Sequence, residues 1–141
     1  MNEPRWVLDA SVAVPLLVAS HEAHGIVSSW ARGRLLGLCG HALAETYAVL
    51  TRLPGDARVS PADAVSLIDD NFPHRPMLPE ALASEVHGEL AQCGVSGGAT
   101  YDGLVALTAR SYNAVLVTRD GRARPTYEAV GARVKVLVSG G

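Results

Sequence analysis

Short apolar runs alternate along the chain with longer segments in which apolar residues recur at helical spacing. The two clearest runs, residues 6–8 and 114–117, are rich in leucine or β-branched side chains and are followed by turn or cap residues. This pattern is typical of parallel strands that are buried on both faces. Weaker strands are predicted at residues 35–39, 76–78 and 133–138, and the prolines near residue 76 favour a short edge strand for that piece.

Helical periodicity fills the intervals between these strands and predicts helices over residues 11–19, 22–33, 42–53, 60–71, 78–93, 99–112 and 123–130. One helix start is especially well marked, because Ser60 is a favourable N-cap and Pro61 suits the first helical turn. Residues 53–58, which contain Pro54 and Gly55, form the clearest loop. Strands that alternate with helices predict an α/β fold, in which helices cover both faces of a parallel sheet.

The composition narrows the class of protein. With 141 residues, 48% of them hydrophobic, the chain suits one domain over residues 1–141 whose core needs no disulfides. Cys39 and Cys93 form no CxxC pair and have no histidine at ligand spacing, which disfavours a zinc site and fits a reducing cytosol. Residues 1–5 begin no run of signal-peptide length, and no stretch approaches the roughly 20 apolar residues that cross a bilayer. We therefore expect a soluble, cytoplasmic protein.

The charge of the chain disfavours a protein that coats nucleic acid by bulk electrostatics, because the formal net charge is −2. The basic residues are unevenly chosen, with eleven arginines against the single lysine Lys135. A GC-rich coding sequence is the first explanation for this excess. The planar guanidinium also suits bidentate phosphate contacts, so contacts between individual arginines and nucleic acid stay open.

Four carboxylates are placed where a parallel sheet forms its binding sites, beyond the carboxyl ends of the strands. Asp9 and Asp120 follow the two clearest strands, and Glu45 and Asp102 lie in the first turns of predicted helices. Each alone has an ordinary explanation, as a helix cap or as a complement to the helix dipole. Gathered at one rim, however, four such charges repel unless a cation lies among them. Oxygen ligands of this kind favour Mg²⁺ or Mn²⁺ over zinc.

Four sequence blocks, taken in order, resemble the signature of the PIN-domain family as it occurs in VapC toxins. The blocks span nearly the whole chain, and each lies in its expected element; they are Asp9-x-Ser11, Ala44-Glu45-Thr46, the run from Tyr101-Asp102-Gly103 to Ala109, and Val117-Thr118-Arg119-Asp120. No single block is specific to the family, whereas the four blocks in this order are a strong signature. One departure is visible: relatives often carry proline or serine in the turn before the Glu45 helix, where this chain has Cys39-Gly40-His41.

The resemblance implies a three-layer α/β sandwich with a parallel sheet ordered 3-2-1-4-5. It also implies an endoribonuclease toxin that depends on Mg²⁺, with Mn²⁺ as a substitute, that forms a homodimer and that a cognate VapB-type antitoxin inhibits. Carried over position by position, the catalytic residues are Asp9, Glu45, Asp102 and Asp120. Of these, Asp9, Asp102 and Asp120 are the implied metal ligands, and Ser11 and Thr118 are hydroxyl groups that support them.

The implied chemistry agrees with the charges. Hydrolysis of an RNA phosphodiester needs an activated water and neutralisation of the added charge on phosphorus, and a bound Mg²⁺ supplies both. Contacts to RNA phosphates are expected from four arginines near the carboxylates, for which a solvated surface position is the competing interpretation: Arg52, Arg119, Arg122 and Arg124. His41, one turn before Glu45, is a weaker candidate for acid–base chemistry.

Two other functions compete with this one. A catalytically silent PIN-like binding module would lose one or more of the four carboxylates, and this chain keeps all four. A flavodoxin-like phospho-acceptor domain also binds Mg²⁺, but it carries paired acidic residues after its first strand and an aspartate that ends its third. Neither feature is present here, and a dinucleotide-binding enzyme is disfavoured because no GxGxxG follows a strand.

Overall fold

The computed structural model describes residues 6–137. Within that range, four parallel strands form one sheet in the spatial order β2-β1-β3-β4. They are β1 (Trp6–Leu8), β2 (Leu36–Leu38), β3 (Val115–Thr118) and β4 (Arg133–Val136). The two central strands are in register, with Leu8 opposite Val117, so the residues that follow β1 and β3 emerge at the same rim of the sheet.

Helices fill the intervals between the strands. In chain order they are α1 (Ala10–Leu17), α2 (His24–Ala31), α3 (His41–Thr51), α4 (Pro61–Asn71), α5 (Glu80–Ala83), α6 (Val86–Gln92), α7 (Thr100–Ser111) and α8 (Arg124–Val130). Short 3₁₀ turns cover Gly55–Ala57 and Gly97–Ala99. Ser60 caps α4, as the sequence predicts, by accepting a hydrogen bond from the N–H of Asp63 at 3.1 Å. Between residues 6 and 137, no helix is long and apolar enough to span a bilayer.

The central strands are covered on both faces. Consecutive side chains of a strand point to opposite faces, and the consecutive pairs Val7–Leu8 and Leu116–Val117 are completely inaccessible to solvent. Helices on both sides of the sheet produce this burial, which explains why these strands lack the alternation of half-exposed strands. The predicted α/β fold, a parallel sheet flanked by helices, is confirmed.

The prediction of a third strand at residues 76–78 is wrong. Instead of a strand at residues 76–78, a single bridge pairs His74 with Gly37 of β2. The carbonyls of His74 and Pro76 accept hydrogen bonds from the N–H groups of Leu38 and Gly40. Prolines at positions 73, 76 and 79 have no N–H to donate, so this segment lies in the place of strand 3 without forming a full ladder. The described sheet therefore has four of the five strands in the predicted order 3-2-1-4-5, and strand 3 is the one that is missing.

The single helix predicted over residues 78–93 is also wrong, because the segment is divided into α5 and α6. The hydroxyl of Ser84 donates to the carbonyl of Ala81 at 3.1 Å. The N–H of Glu85 then bonds to Leu82, one residue nearer than an α-helix requires. α5 therefore ends at Ala83, and α6 begins at Val86. The last predicted strand is confirmed as far as Val136, and its end at residue 138 lies outside the described residues.

Candidate active site

Asp9 is held at the carboxyl end of β1 by its backbone and its side chain together. Its N–H donates to the carbonyl of Val117 at 3.1 Å, which extends the pairing of β1 with β3. Its carboxylate caps α1, since Oδ1 accepts the N–H of Ser11 at 3.0 Å. Only 6% of the residue is exposed. The carboxylate is thus buried and fixed in direction before any ligand arrives.

The hydroxyl of Ser11 links this carboxylate to the segment that follows β3. Its Oγ lies 2.6 Å from Oδ1 of Asp9 and 3.2 Å from Oγ1 of Thr118, and it accepts the N–H of Arg119 at 2.8 Å. An ionised carboxylate only accepts, so Ser11 donates to Asp9, and its bond with Thr118 takes the proton of Thr118. Thr118 in turn accepts the N–H of Asp120 at 3.0 Å. Ser11 and Thr118 therefore tie the chain after β3 to the chain after β1.

Tyr127 also binds Asp9, and sequence reasoning missed it. Its hydroxyl donates to Oδ2 of Asp9 at 2.8 Å, and the tyrosine is 2% exposed. Burial and the charge of Asp9 raise the pKa of Tyr127, so the phenol stays protonated and acts as a donor. A buried tyrosine hydroxyl generally needs a partner. The sequence, however, gives no signal that this residue of a short helix faces inward.

Burial dominates the electrostatics of Asp9. Loss of solvent raises the pKa of its carboxyl above the ordinary value, and hydrogen bonds from Ser11 and Tyr127 oppose that rise without cancelling it. Ionisation of Asp9 therefore costs free energy in this buried position, and each hydroxyl donor stabilises the ionised form.

Glu45 and Asp102 are brought to Asp9 by α3 and α7. Burial raises the pKa of Glu45, the charges of Asp102 and Asp9 raise it further, and His41 and Arg52 oppose the change. Burial also raises the pKa of Asp102, as do Asp9 and then Asp120, whereas His41 lowers it. Charges that shift one another's pKa in this way share one region of the molecule.

Asp120 lies at the edge of this acidic cluster, which comprises Asp9, Glu45, Asp102 and Asp120. Its Oδ1 accepts the N–H of Arg122 at 3.0 Å, and the guanidinium of the same arginine approaches to 3.7 Å. The Arg122 side chain is almost wholly exposed, which makes the ion pair weak. Asp120 thus contributes its charge to Asp102, while its carboxylate faces the more open side of the cluster.

The chemistry of the cluster suits a hard divalent cation, although its carboxylates lie too far apart to coordinate one as they stand. Cys39 lies close to Asp9, but burial raises the pKa of its thiol to about 12, which leaves only carboxylate oxygens as charged ligands there. Such a set matches Mg²⁺ or Mn²⁺, and the mutual repulsion of the carboxylates is what a cation would relieve. Among residues 6–137, however, no three His, Cys, Asp or Glu side chains are arranged closely enough to hold an ion.

The four predicted phosphate contacts differ in their surroundings. The charge of Arg52 acts on Glu45, and Arg119 places a guanidinium nitrogen 3.5 Å from the carbonyl of Ser11. Arg124 is instead paired with Glu128 at 3.2 Å, one turn along α8. Beside the cluster, Arg119 and Glu45 line a groove of about 260 Å³ together with Ser11, Pro15, His21 and Val49. Arg52 and Arg119 are therefore the better placed of the four.

The loop that leads into α3 requires glycine at position 40. Gly40 has a φ of 57°, and a Cβ at this position would lie 2.6 Å from Oγ1 of Thr108 in α7. Only glycine tolerates both the backbone angle and the close approach. The next residue, His41, stacks on Tyr101 of α7, with 5.1 Å between the ring centroids and 26° between the planes. The loop thereby fixes α3 against α7 beside the acidic cluster.

Comparison with known proteins matches residues 6–128 to the PIN domain. Ribonuclease VapC27 of Mycobacterium tuberculosis is 48% identical over 134 residues, which are 95% of this chain and 98% of that relative. Two solved structures share the fold. FitAB bound to an IR36 DNA fragment superposes with a TM-score of 0.69 at 20% identity, covering 93% of this chain and 94% of that chain. The Sarcin-Ricin loop cleaving toxin VapC20 of Mycobacterium tuberculosis has a TM-score of 0.64 at 18% identity, covering 90% and 95%.

Proposed function

The chain belongs to the VapC-type ribonucleases of the PIN-domain family, and from this premise we propose that it is a toxin that hydrolyses RNA with a divalent cation. The observation that carries the proposal is the position of Glu45 and Asp102 close enough to the buried Asp9 for its charge to raise the pKa of both carboxyls. Like charges held close together are costly, and functional sites are where such costs concentrate. A purely structural role would be better served by uncharged side chains.

Asp9, Asp102 and Asp120 are the residues that would hold the cation, Mg²⁺ by preference and Mn²⁺ as a substitute. When bound, the cation supplies positive charge for the phosphate and lowers the pKa of water. Ser11 and Tyr127 each donate to one oxygen of Asp9, and they hold this carboxylate in one orientation in its ionised form. Glu45 is the remaining carboxylate, and it lies on the exposed side, where it accepts the proton of the attacking water.

RNA reaches this acidic rim through positive charge that the chain supplies locally. Arg52 and Arg119 lie beside the carboxylates and are placed to contact the phosphates that flank the cleaved bond. Arg122 and Arg124 extend this basic edge after Asp120. The net charge of −2 makes such local contacts necessary, because the molecule as a whole does not attract a polyanion.

We further propose that the protein acts in the cytoplasm as a homodimer that a VapB-type antitoxin controls. A basic side chain of that partner, with arginine best suited by its planar fork, would pair with Asp9, Glu45 or Asp102. Because it would compete with the cation for the same negative charge, raising the concentration of Mg²⁺ should weaken the inhibition. The similarity to FitAB, whose structure is a complex on DNA, supports a two-protein assembly.

RNA cleavage mapping with purified protein tests the proposed function. Total RNA is incubated with Mg²⁺, with Mn²⁺ and with chelator, and the cleavage sites are located by sequencing of the new ends. We expect discrete sites with either cation and none with chelator or with Asp102→Asn. Absence of cleavage with both cations would favour the silent binding module, and equal cleavage by Asp102→Asn would place the active site elsewhere.

A further inference from the structure

The stack of His41 on Tyr101 leaves one aromatic face without a partner among the described residues. Tyr101 is 57% exposed, the highest fraction among the exposed large apolar side chains between residues 6 and 137. Its hydroxyl makes no hydrogen bond within that range, so the ring is positioned by its backbone and by the parallel contact with the His41 ring at 5.1 Å. A large aromatic surface that is held in one orientation and remains exposed is suited to bind a ligand.

The stack borders the acidic cluster. Tyr101 directly precedes Asp102 in the first turn of α7, and His41 begins α3 one turn before Glu45. The charge of His41 acts on both of these carboxylates. The stacked pair thus lies at the ends of α7 and α3 that carry Asp102 and Glu45.

Rigid elements support this arrangement. The N–H of Gly40 donates to the carbonyl of Pro76 at 3.0 Å, and the close approach of Gly40 to Thr108 sets the start of α3 against α7. His41 and Tyr101 are thus presented by two packed helices and not by a free loop. A preorganised ring loses little conformational entropy when a second ring stacks on it.

We infer that the open face of Tyr101, backed by His41, is the platform on which an unpaired RNA base stacks beside the cleaved phosphate. This inference rests on the proposed RNA hydrolysis. Proteins that act on unpaired RNA commonly hold bases by stacking on aromatic side chains, and every base has a π-face that fits. RNA is favoured over a protein segment because Tyr101 shares the first turn of α7 with Asp102, one of the residues proposed to hold the cation that would bind the phosphate. The stacked base is therefore expected close to the cleaved bond.

A coupling experiment between protein and RNA tests the platform. A short unpaired RNA that carries one mapped cleavage site is prepared intact and with a single abasic nucleotide at each position in turn. Single-turnover and steady-state cleavage are measured for the wild type, Tyr101→Ala, Tyr101→Trp and Tyr112→Ala. Tyr112 is the matched control, since it is an exposed tyrosine at the other end of the same helix.

For intact RNA, we expect Tyr101→Ala to raise KM by about 5- to 160-fold, the range for loss of one stacked base, with kcat nearly unchanged. One abasic position near the cleavage site should cost the wild type a similar factor and should cost Tyr101→Ala nothing more. Tyr101→Trp should keep the wild-type behaviour, and so should Tyr112→Ala.

Three results would overturn the platform. One is a wild-type KM for Tyr101→Ala on intact RNA. Another is full additivity, in which the loss caused by Tyr101→Ala adds to the loss caused by an abasic nucleotide at every position. The third is unchanged RNA cleavage together with weaker binding of a co-purified partner protein, which would make the exposed ring a protein contact. These results leave the proposed ribonuclease function standing, whereas no cleavage by the wild type with Mg²⁺ or Mn²⁺ would remove both.

Discussion

The hydroxyl of Tyr127 donates to Oδ2 of Asp9 across 2.8 Å, and so joins α8 to the end of β1. Both residues are buried, and the bond is one of those that lower the pKa of Asp9 against the effect of burial. Docking of α8 and ionisation of Asp9 therefore support each other. The carboxylate is more easily ionised when the helix is in place, and the helix is held more tightly when the carboxylate is charged.

Tyr127→Phe should lower stability and shift the pH dependence of cleavage. The change removes a buried hydrogen bond to a charged group, which is worth about 1.5–3 kcal/mol. The acid limb of the activity profile should move to higher pH, because the pKa of Asp9 rises when this donor is lost. Urea unfolding and a pH–rate profile provide the two measurements. Tyr112→Phe, which removes an exposed hydrogen bond to the carbonyl of Met77, is the control that should leave the pH profile in place.

Ser11→Ala should uncouple the chain after β1 from the chain after β3. It leaves the N–H of Arg119 and the hydroxyl of Thr118 without their shared acceptor and removes a donor to Asp9. We expect a loss of about 1–3 kcal/mol in unfolding free energy and a clear fall in kcat. Ser28→Ala removes only a weak 3.4 Å bond within α2 and should change neither quantity. Equal effects of the two changes would show that the Ser11 hydroxyl has no special part.

Asp9→Asn should abolish RNA cleavage while the protein stays folded, because asparagine keeps the size and removes the charge that would hold the cation. Asp102→Asn should behave alike, and Asp120→Asn should be milder, since its carboxylate lies on the open side of the cluster. Asp70→Asn, at an exposed position late in α4, serves as the control. Full metal-dependent cleavage by Asp9→Asn, in protein free of host nuclease, would show that this pocket is the wrong one.

Without metal, the acidic cluster should contribute less stability at about pH 7 than at about pH 4, which is near the ordinary pKa of its carboxyl groups. Asp9, Glu45 and Asp102 all have folded-state pKa values above their ordinary ones, 3.8 for aspartate and 4.5 for glutamate. The folded state then binds more protons than the unfolded state, so the unfolding free energy falls as the pH rises through the raised values. Asp102→Asn should flatten this dependence and stabilise the chain at pH 7 by about 0.2–1 kcal/mol, the range for partly exposed charges. Urea unfolding in chelator at both pH values is the measurement, and a steeper fall for the variant would contradict it.

Divalent cations should raise the melting temperature at neutral pH. A ligand that binds only the folded state adds about 2.7 kcal/mol at 100 times its dissociation constant. Thermal melts with Mn²⁺, with Mg²⁺ and with chelator should therefore separate, and Asp9→Asn should bring them together. Superimposable melts of the wild type under all three conditions would argue against a cation site at the cluster.

The sequence predicts the parts of this molecule that depend on local pattern. Asp9 and the Thr118–Asp120 segment were placed at one rim because buried strands have a recognisable composition and parallel strands end together. Tyr127 could not be placed, since its partner lies 118 residues away and a short helix has no clear periodicity. The failures at residues 76–78 and 78–93 have the same character. At residues 76–78, neighbouring prolines lack the N–H groups that a strand ladder needs. At residues 78–93, a tightened turn next to Ser84 divides the helix. Each effect opposes a pattern that favours regular structure.

The long separation between Asp9 and Tyr127 also has a consequence for synthesis of the protein. At 5–20 residues per second, Tyr127 is made roughly 6–24 s after Asp9. Ser11 similarly waits for Thr118, its partner 107 residues later. A growing chain therefore carries Asp9 with its neighbour Ser11 but without the Tyr127 hydroxyl that binds the second oxygen. A nascent chain therefore cannot complete the surroundings of Asp9 before residue 127 has been made, whatever part of the fold has already formed.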